Sequence, residues 1–471
     1  MLRTTLVNSL CLLTLANAAA CGSSGDTQET PESPQAGTNA VMSGVSAAAG
    51  ATGAAGTTAP ANMTATAPPS ATAGSSSQPQ TSATMKMMVP PSSAAGAGAA
   101  GQPAASNMGS AGMSAAGAPA QASAGTGAMA AGACQDSCAY ANGVSWMCKK
   151  RFMYGVNYAW HNFAADFGGN QAWSQPGLSA EPAVEAELKS MAANGINVIR
   201  WWLWPDFRGD GVTFDAADTP MGLGGTALTD VARALELADT HDMYLMLTLF
   251  SFDNFRPTRM EQNLKIRGIS PIATDDAKRR ALIENVVAPL ARAVEASPFK
   301  HRMIAWDIIN EPEWAVKGTS MYGGDPEFDP MPDLESLTHA QMEMFLRDIG
   351  KSLRDNSKAQ ITVGATAFKW AHAWSKLDLD FHQFHMYDWV NMYWPYDKSP
   401  KEYGLDDKPV VMGEFPLKGL TGVSYDKLLE SWFGNGYAGA LGWAFTDAMF
   451  NSGDYAPVKA FADAHKCETR F

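Results

Sequence analysis

The chain has 471 residues, 46% of them apolar, and 47 acidic against 34 basic side chains give a formal net charge of −13. Nearly all of that charge follows residue 133 with no basic run to offset it, which excludes a nucleic-acid partner that needs a cationic face. A neutral polymer remains compatible with this surface.

Residues 1–20 read as an export signal. Arg3 is their only charge, Leu6–Ala16 is apolar, and Ala18, Ala19 and Ala20 precede Cys21. The apolar run is shorter than the roughly 20 residues a bilayer span requires, so it reads as cleaved rather than spanning. Cys21 follows small residues directly and is a candidate for lipidation, although Ala18 stands where the bacterial lipoprotein pattern usually has Leu. Residues 21–133 form an Ala/Gly/Ser/Thr/Pro linker, and 22–133 lack Trp, Phe, Tyr, Leu and Ile altogether. Such a tract cannot bury enough apolar surface to offset its ordering entropy and is expected to be a disordered tether. The Met-rich Met85–Met88 belongs to that tether and is not a metal box.

Residues 134–151 form an extension carrying Cys134, Cys138 and Cys148, with Cys467 near the other end of the chain. Four cysteines in an exported chain point to two disulfides, with three connectivities open and at least one bridge joining the two ends of the domain. A four-Cys zinc site is the rival, but its paired C-x-x-C spacing is missing.

From residue 152 to 471, short apolar runs alternate with helical segments. The expected strands are Met153–Tyr158, Asn197–Leu203, Tyr244–Phe250, Ile304–Ile309, Ile361–Ala365, Phe381–His385, Pro409–Gly413 and Gly439–Ala444. Helical spacing fits 181–194, 226–241, 276–296, 338–356 and 426–433, whereas 367–380 and 390–408 make poor helices. Eight buried strands separated by helices predict an α/β fold, a (β/α)8 barrel. An open doubly wound sheet is the alternative, but no Gly-rich phosphate turn follows the first strand.

A barrel of this kind carries its active groups at the C-terminal strand ends. Those ends hold Asn157 and Tyr158, Arg200 and Trp202, Asn310 and Glu311, His385 and Tyr387, Glu414, and Trp443. The long connections leave the same ends. In Trp306–Trp314 (WDIINEPEW), Asp307 lies about 13 Å deeper than Glu311 at about 3.3 Å per residue. It reads as a buried acid held by hydrogen bonds, and Glu313 as a loop anchor behind Pro312. The partner for Glu311 is therefore sought elsewhere, and Lys408–Pro416 (KPVVMGEFP) repeats the design with Glu414. Two acids at one barrel mouth fit glycoside hydrolysis, in which one is a protonated acid and the other an ionised nucleophile. Their spacing decides between retention and inversion, and the sequence does not give it.

These motifs resemble glycoside hydrolase family 5, the cellulase and mannanase type, and its clan. The likeness covers about residues 152–465 in order and spacing. It implies that Glu311 in Asn-Glu-Pro is the acid/base, that Asn310 holds a sugar hydroxyl, and that Glu414 is the nucleophile of a retaining reaction. It further implies that Arg200 steadies Glu414, that His385 and Tyr387 are the sixth-strand pair, and that Trp443 is a floor for the sugar. The third strand ends in LFSFDNF, where many family cellulases have a His, which leaves the substrate subgroup open.

Other readings stand beside these. His382 and His385 are three apart on a strand and face opposite ways, so they cannot clasp one ion; His382 reads as packing. The tryptophans of the loops, Trp160, Trp173, Trp202, Trp204, Trp314, Trp370, Trp374, Trp389 and Trp394, each read singly as packing, while several of them together would stack on sugar. The expected protein is a secreted, surface-tethered, monomeric endo-β-1,4-glycanase acting on a polysaccharide, with mannan favoured over cellulose. It would need no metal or organic cofactor and would meet a membrane only through its lipid. An exo-acting β-glycosidase, a non-catalytic glycan-binding barrel and a metal-dependent barrel hydrolase are the alternatives.

Overall fold

The computed structural model describes residues 136–447, 449–451 and 453–471. The signal, the linker, Cys21 and Cys134 lie outside the described residues. Eight parallel strands close into a barrel: β1 (Met153–Asn157), β2 (Val198–Trp202), β3 (Tyr244–Ser251), β4 (Met303–Asn310), β5 (Gln360–Ala365), β6 (His382–His385), β7 (Val410–Glu414) and β8 (Gly439–Gly442). Each strand pairs with its sequence neighbour, and β8 returns to β1. The barrel, not the open sheet, is therefore the fold. Nearly every strand residue is buried, because helices cover the outer face and side chains fill the inner one.

The covering helices include α1 (Ala183–Ala193), α2 (Ala227–Thr240), α3 (Asp276–Leu282), α4 (Ala288–Ala296), α5 (His339–Asn356), α6 (Tyr425–Gly434) and α7 (Ala456–Ala464). One π-type turn, Ile283–Val287, joins α3 to α4. Thr338 caps α5, its hydroxyl accepting from the Gln341 amide while the Gln341 side chain accepts from the Thr338 amide. After β5 and β6, where helical spacing fails, the chain makes only short turns such as Phe368–Trp370, Asp388–Asn391 and Pro400–Tyr403. Hairpins that the spacing did not indicate stand in the connections, Val212–Phe214 with Pro220–Leu223 and Arg259–Glu261 with Leu264–Ile266.

One apolar cluster plugs the N-terminal end of the barrel. Met153, Val198, Met246, Ile304, Phe381, Val411 and Leu441 meet there, joined by Val144 of the first hairpin and by Phe471. The first hairpin and Phe471 are thus built into the same floor. Phe152 donates its amide to the Glu468 carbonyl (2.8 Å), and a disulfide joins Cys138 to Cys467. Cys148 is also disulfide-bonded.

The bridge between Cys138 and Cys467 closes a separation of 329 residues, so its loss frees much unfolded-state entropy. Cys467→Ser should lower the unfolding free energy by about 2–5 kcal/mol, read from denaturant midpoints. An unchanged midpoint would mean that the terminal contacts hold the ends without it.

Candidate active site

At the end of β4 the backbone turns abruptly. Glu311 adopts φ 51° and ψ 51°, the left-handed region, which costs a non-glycine residue roughly 1–2 kcal/mol. Its amide donates to the Gly364 carbonyl (2.6 Å), and Pro312 opens a single turn, Pro312–Ala315. Glu313 is fully buried in that turn. One of its oxygens accepts from the Thr366 amide (3.0 Å) and hydroxyl (2.8 Å), the other from Trp374 Nε1 (2.6 Å). Glu313 therefore pins the turn to the segment after β5 and does not face the reaction.

The centre of the barrel mouth is Arg200, on β2 and fully buried. Its Nε and Nη2 donate to Asp307 Oδ2 (2.8 and 2.6 Å), Nη2 to Asn310 Oδ1 (2.7 Å), and Nη1 to Asn157 Oδ1 (2.8 Å) and Glu414 Oε1 (2.7 Å). Asp307 also accepts from Thr248 Oγ1 (3.0 Å), Gln383 Nε2 (3.3 Å) and the Gly364 amide (2.9 Å). The deep acid is thus a counter-charge for the arginine. Gly364 is required beside it, because a Cβ there would lie 2.7 Å from Arg200 Nη2. Gly413, before the second acid, likewise gives way to the Gln383 side chain, which a Cβ would meet at 2.4 Å. Since Arg200 only donates, it fixes the orientation of the Asn310 amide and leaves that side chain's Nδ2 for the cleft.

Glu414 ends β7. Its Oε1 takes the Arg200 bond and its Oε2 accepts from the Tyr387 hydroxyl (2.8 Å). Glu311 Oε2 accepts from Trp314 Nε1 (2.9 Å), and Oε1 faces His385 Nδ1 (2.8 Å), which is also 3.5 Å from Glu414 Oε2. Burial depresses the His385 imidazole to about 4, so it is neutral. Its one proton belongs on Nδ1, between two carboxylates, leaving Nε2 as a buried acceptor without a partner. An oxygen of Glu311, one of Glu414 and a nitrogen of His385 lie within 4.8 Å of one another.

Burial raises both glutamates, Glu311 to about 7. The two differ in what pulls the other way. Glu414 has a guanidinium and a phenol on its two oxygens, whereas Glu311 has an indole and a neutral imidazole. Of the pair, Glu311 is the readier to keep a proton near neutral pH and Glu414 the better supported as a carboxylate.

The two acids open into a cleft of about 440 Å³, lined by Trp160, Trp202, Trp314, Trp389, Trp443 and Tyr387 among others. Trp443, linked to Ala444 by a cis peptide, is tilted against Trp202 at 5.4 Å and donates Nε1 to Asp447 Oδ2 (3.3 Å). Of the loop tryptophans, Trp204, Trp370 and Trp374 are packing residues buried outside the cleft, and Trp173 and Trp394 do not line it either. His382 turns away to Asp407 (2.9 Å). All seven substrate-facing or catalytic candidates, Arg200, Asn310, Glu311, His385, Tyr387, Glu414 and Trp443, converge on this mouth. Sequence reasoning gave no role to Asn157 and Gln383, which hold Arg200 and Asp307, and read Trp314, which holds Glu311, only as packing or sugar stacking. Only the strand-end position of Asn157 hinted at one.

No family model matches the chain. It is similar to the mannan endo-1,4-beta-mannosidase of Mytilus edulis, 26% identical over 337 residues, which is 64% of this chain and 85% of that one. The enzyme of the same description from Cryptopygus antarcticus is 26% identical over 347 residues, 65% and 82% of the two chains. Among solved structures, the beta-mannanase of Mytilus edulis superposes with a TM-score of 0.52 at 24% identity, covering 67% of this chain and 91% of that one. The Cryptopygus antarcticus beta-1,4-D-mannanase gives 0.56 at 22% identity, covering 66% and 90%. Motif order, fold and sequence likeness point the same way: the chain has the eight-stranded barrel and is similar to mannan endo-1,4-beta-mannosidases over about two thirds of its length.

Proposed function

We propose that the chain is a retaining endo-β-1,4-mannanase in which Glu311 is the acid/base and Glu414 the nucleophile. The observation that carries this reading is the unequal pair: a buried and a half-buried carboxylate with their nearest oxygens within 4.8 Å, Glu414 tied to Arg200 and Tyr387, Glu311 bonded only to an indole and an imidazole. That spacing fits the roughly 5–5.5 Å of retaining enzymes better than the roughly 6.5–9.5 Å that leaves room for a water. Mannan is the substrate of choice because both curated relatives are named for it.

In the first step Glu414 attacks the anomeric carbon while Glu311 protonates the departing glycosidic oxygen. Both Glu311 oxygens accept a bond, Oε2 from Trp314 and Oε1 from His385, and the carboxyl carries its proton beside them. Negative charge leaves Glu414 as its bond to carbon forms, and Arg200 and Tyr387 then relax their hold. Glu311, now ionised, deprotonates the water that resolves the glycosyl-enzyme. Asn310 Nδ2 supplies a donor to a sugar hydroxyl beside the reacting carbon, and Trp443 a flat apolar floor. Export, anchoring through Cys21, and action as a monomer at the cell surface complete the proposal. Among the described residues no helix is long and apolar enough to cross a membrane.

Glu414→Ala should lower kcat on mannan by at least about a thousand-fold and Glu311→Ala by about a hundred- to ten-thousand-fold. The Glu311 loss should be mostly recovered on an aryl mannoside with a good leaving group, which needs no acid. Normal turnover by Glu414→Ala sinks the assignment. A chelator should leave wild-type activity unchanged, although Glu311, His385 and Glu414 have metal-ligand spacing.

Activity should also fall as pH rises through about 7, where Glu311 loses the proton it donates. Trp314 favours the ionised form of Glu311, so Trp314→Phe should move this alkaline limb upward. A limb that stays in place would show that the indole bond does not tune the acid.

A further inference from the structure

We propose that Gln383 is a positioning residue for the reaction, a strut across the barrel interior that sets Glu414 through Asp307 and Arg200 on one side and through Gly413 on the other. The proposal rests on the reading of Glu414 as the nucleophile. It gives a part to a neutral side chain whose one hydrogen bond goes to neither glutamate.

Gln383 is buried on β6, paired with Gly364 of β5 and Val411 of β7. Its side chain runs between two glycines. A Cβ at Gly413 would lie 2.4 Å from its Cγ and 2.6 Å from its Cδ, and a Cβ at Gly364 would lie 2.8 Å from its Nε2. Both neighbouring strands thus give up a side chain to admit it. At the Gly413 end it bears on the backbone of the residue before Glu414, whose carbonyl also accepts from Asn157 Nδ2 (2.8 Å). At the Gly364 end its Nε2 donates to Asp307 Oδ2 (3.3 Å).

The amide has one satisfactory orientation. Asp307, the counter-charge of Arg200, only accepts, so Nε2 must face it. Oε1 is then left buried beside Gly413 with no hydrogen-bond partner. A buried carbonyl in that state lowers stability. Met or Leu would fill the slot without it, so filling space does not account for the residue. What Gln383 adds is a fourth donor on Asp307 Oδ2, beside Arg200 Nε, Arg200 Nη2 and Thr248 Oγ1. Asp307 and Glu414 draw on the same guanidinium from opposite sides. Each donor that satisfies Asp307 from elsewhere leaves more of Arg200 for Glu414. Without the amide, Asp307 draws the cation deeper and away from the rim.

Glu414 faces Arg200 from β2, Glu311 from the end of β4, and His385 and Tyr387 from β6 and the turn after it. Of these only Arg200 is a permanent cation, and weakening its hold raises the pH at which Glu414 ionises. The test is Gln383→Met, which keeps the length and loses the donor, assayed on mannan across pH. It should lower kcat about ten-fold with KM nearly unchanged, and should move the acid limb of kcat/KM upward by about half a pH unit. A normal kcat, or a loss with the acid limb in place, would overturn the role. A second arm needs no activity. Gly413→Ala and Gln383→Ala should each lower the unfolding midpoint, and the double variant should lose less than the two together, because the added Cβ enters the space the amide leaves. Additive losses would overturn the strut. Glu414→Ala is assayed alongside: turnover by it rejects the catalytic reading, whereas an inactive Glu414→Ala beside an unshifted Gln383→Met rejects the role of Gln383 alone.

Discussion

A single buried guanidinium holds the mouth of the barrel together. Arg200 has no access to water, and a charge in that position is tolerated only if it is paired and hydrogen-bonded on every side. Asp307 supplies the deep counter-charge, Asn157 and Asn310 supply neutral acceptors, and Glu414 supplies the second negative group at the rim. Removing Asp307 alone would strand the arginine, a loss on the order of 3–5 kcal/mol. The same five bonds that neutralise the arginine fix the positions of both the second acid and the amide beside the first.

This arrangement makes two chemically identical side chains different. Burial pushes both glutamates toward the neutral form. Only Glu414 touches a permanent cation and a phenol that stays protonated, so it can carry charge in a dry site. Glu311 lies one residue beyond a barrel strand and meets only neutral donors. The division of labour proposed for them follows from which strand end each acid occupies relative to Arg200, and from nothing in the acids themselves.

Much of this was readable from residue order. Rise along the fourth strand separated Asp307 from Glu311, and repetition of an apolar run, Glu and Pro pointed to Glu414. These are local regularities, and a chain displays them directly. The role of Asn157, the Gln383 bond to Asp307, and the Trp314 bond to Glu311 were not readable. Each depends on which strands close beside one another and on how side chains from three or four strands share the barrel interior. The hairpins after β2 and β3 were also missed, since their strands are only three or four residues long and give no period to detect. The sorting of tryptophans into cleft wall and core likewise needed the closed barrel, because residue order places all of them in or near the connections.

The backbone at Glu311 carries a consequence for how such a protein can change. Glycine would suit its left-handed conformation, and any uncharged residue would remove a desolvated acid. On the proposed reading the position is one where catalysis opposes the fold: substitutions there should leave the barrel sturdier than its parent.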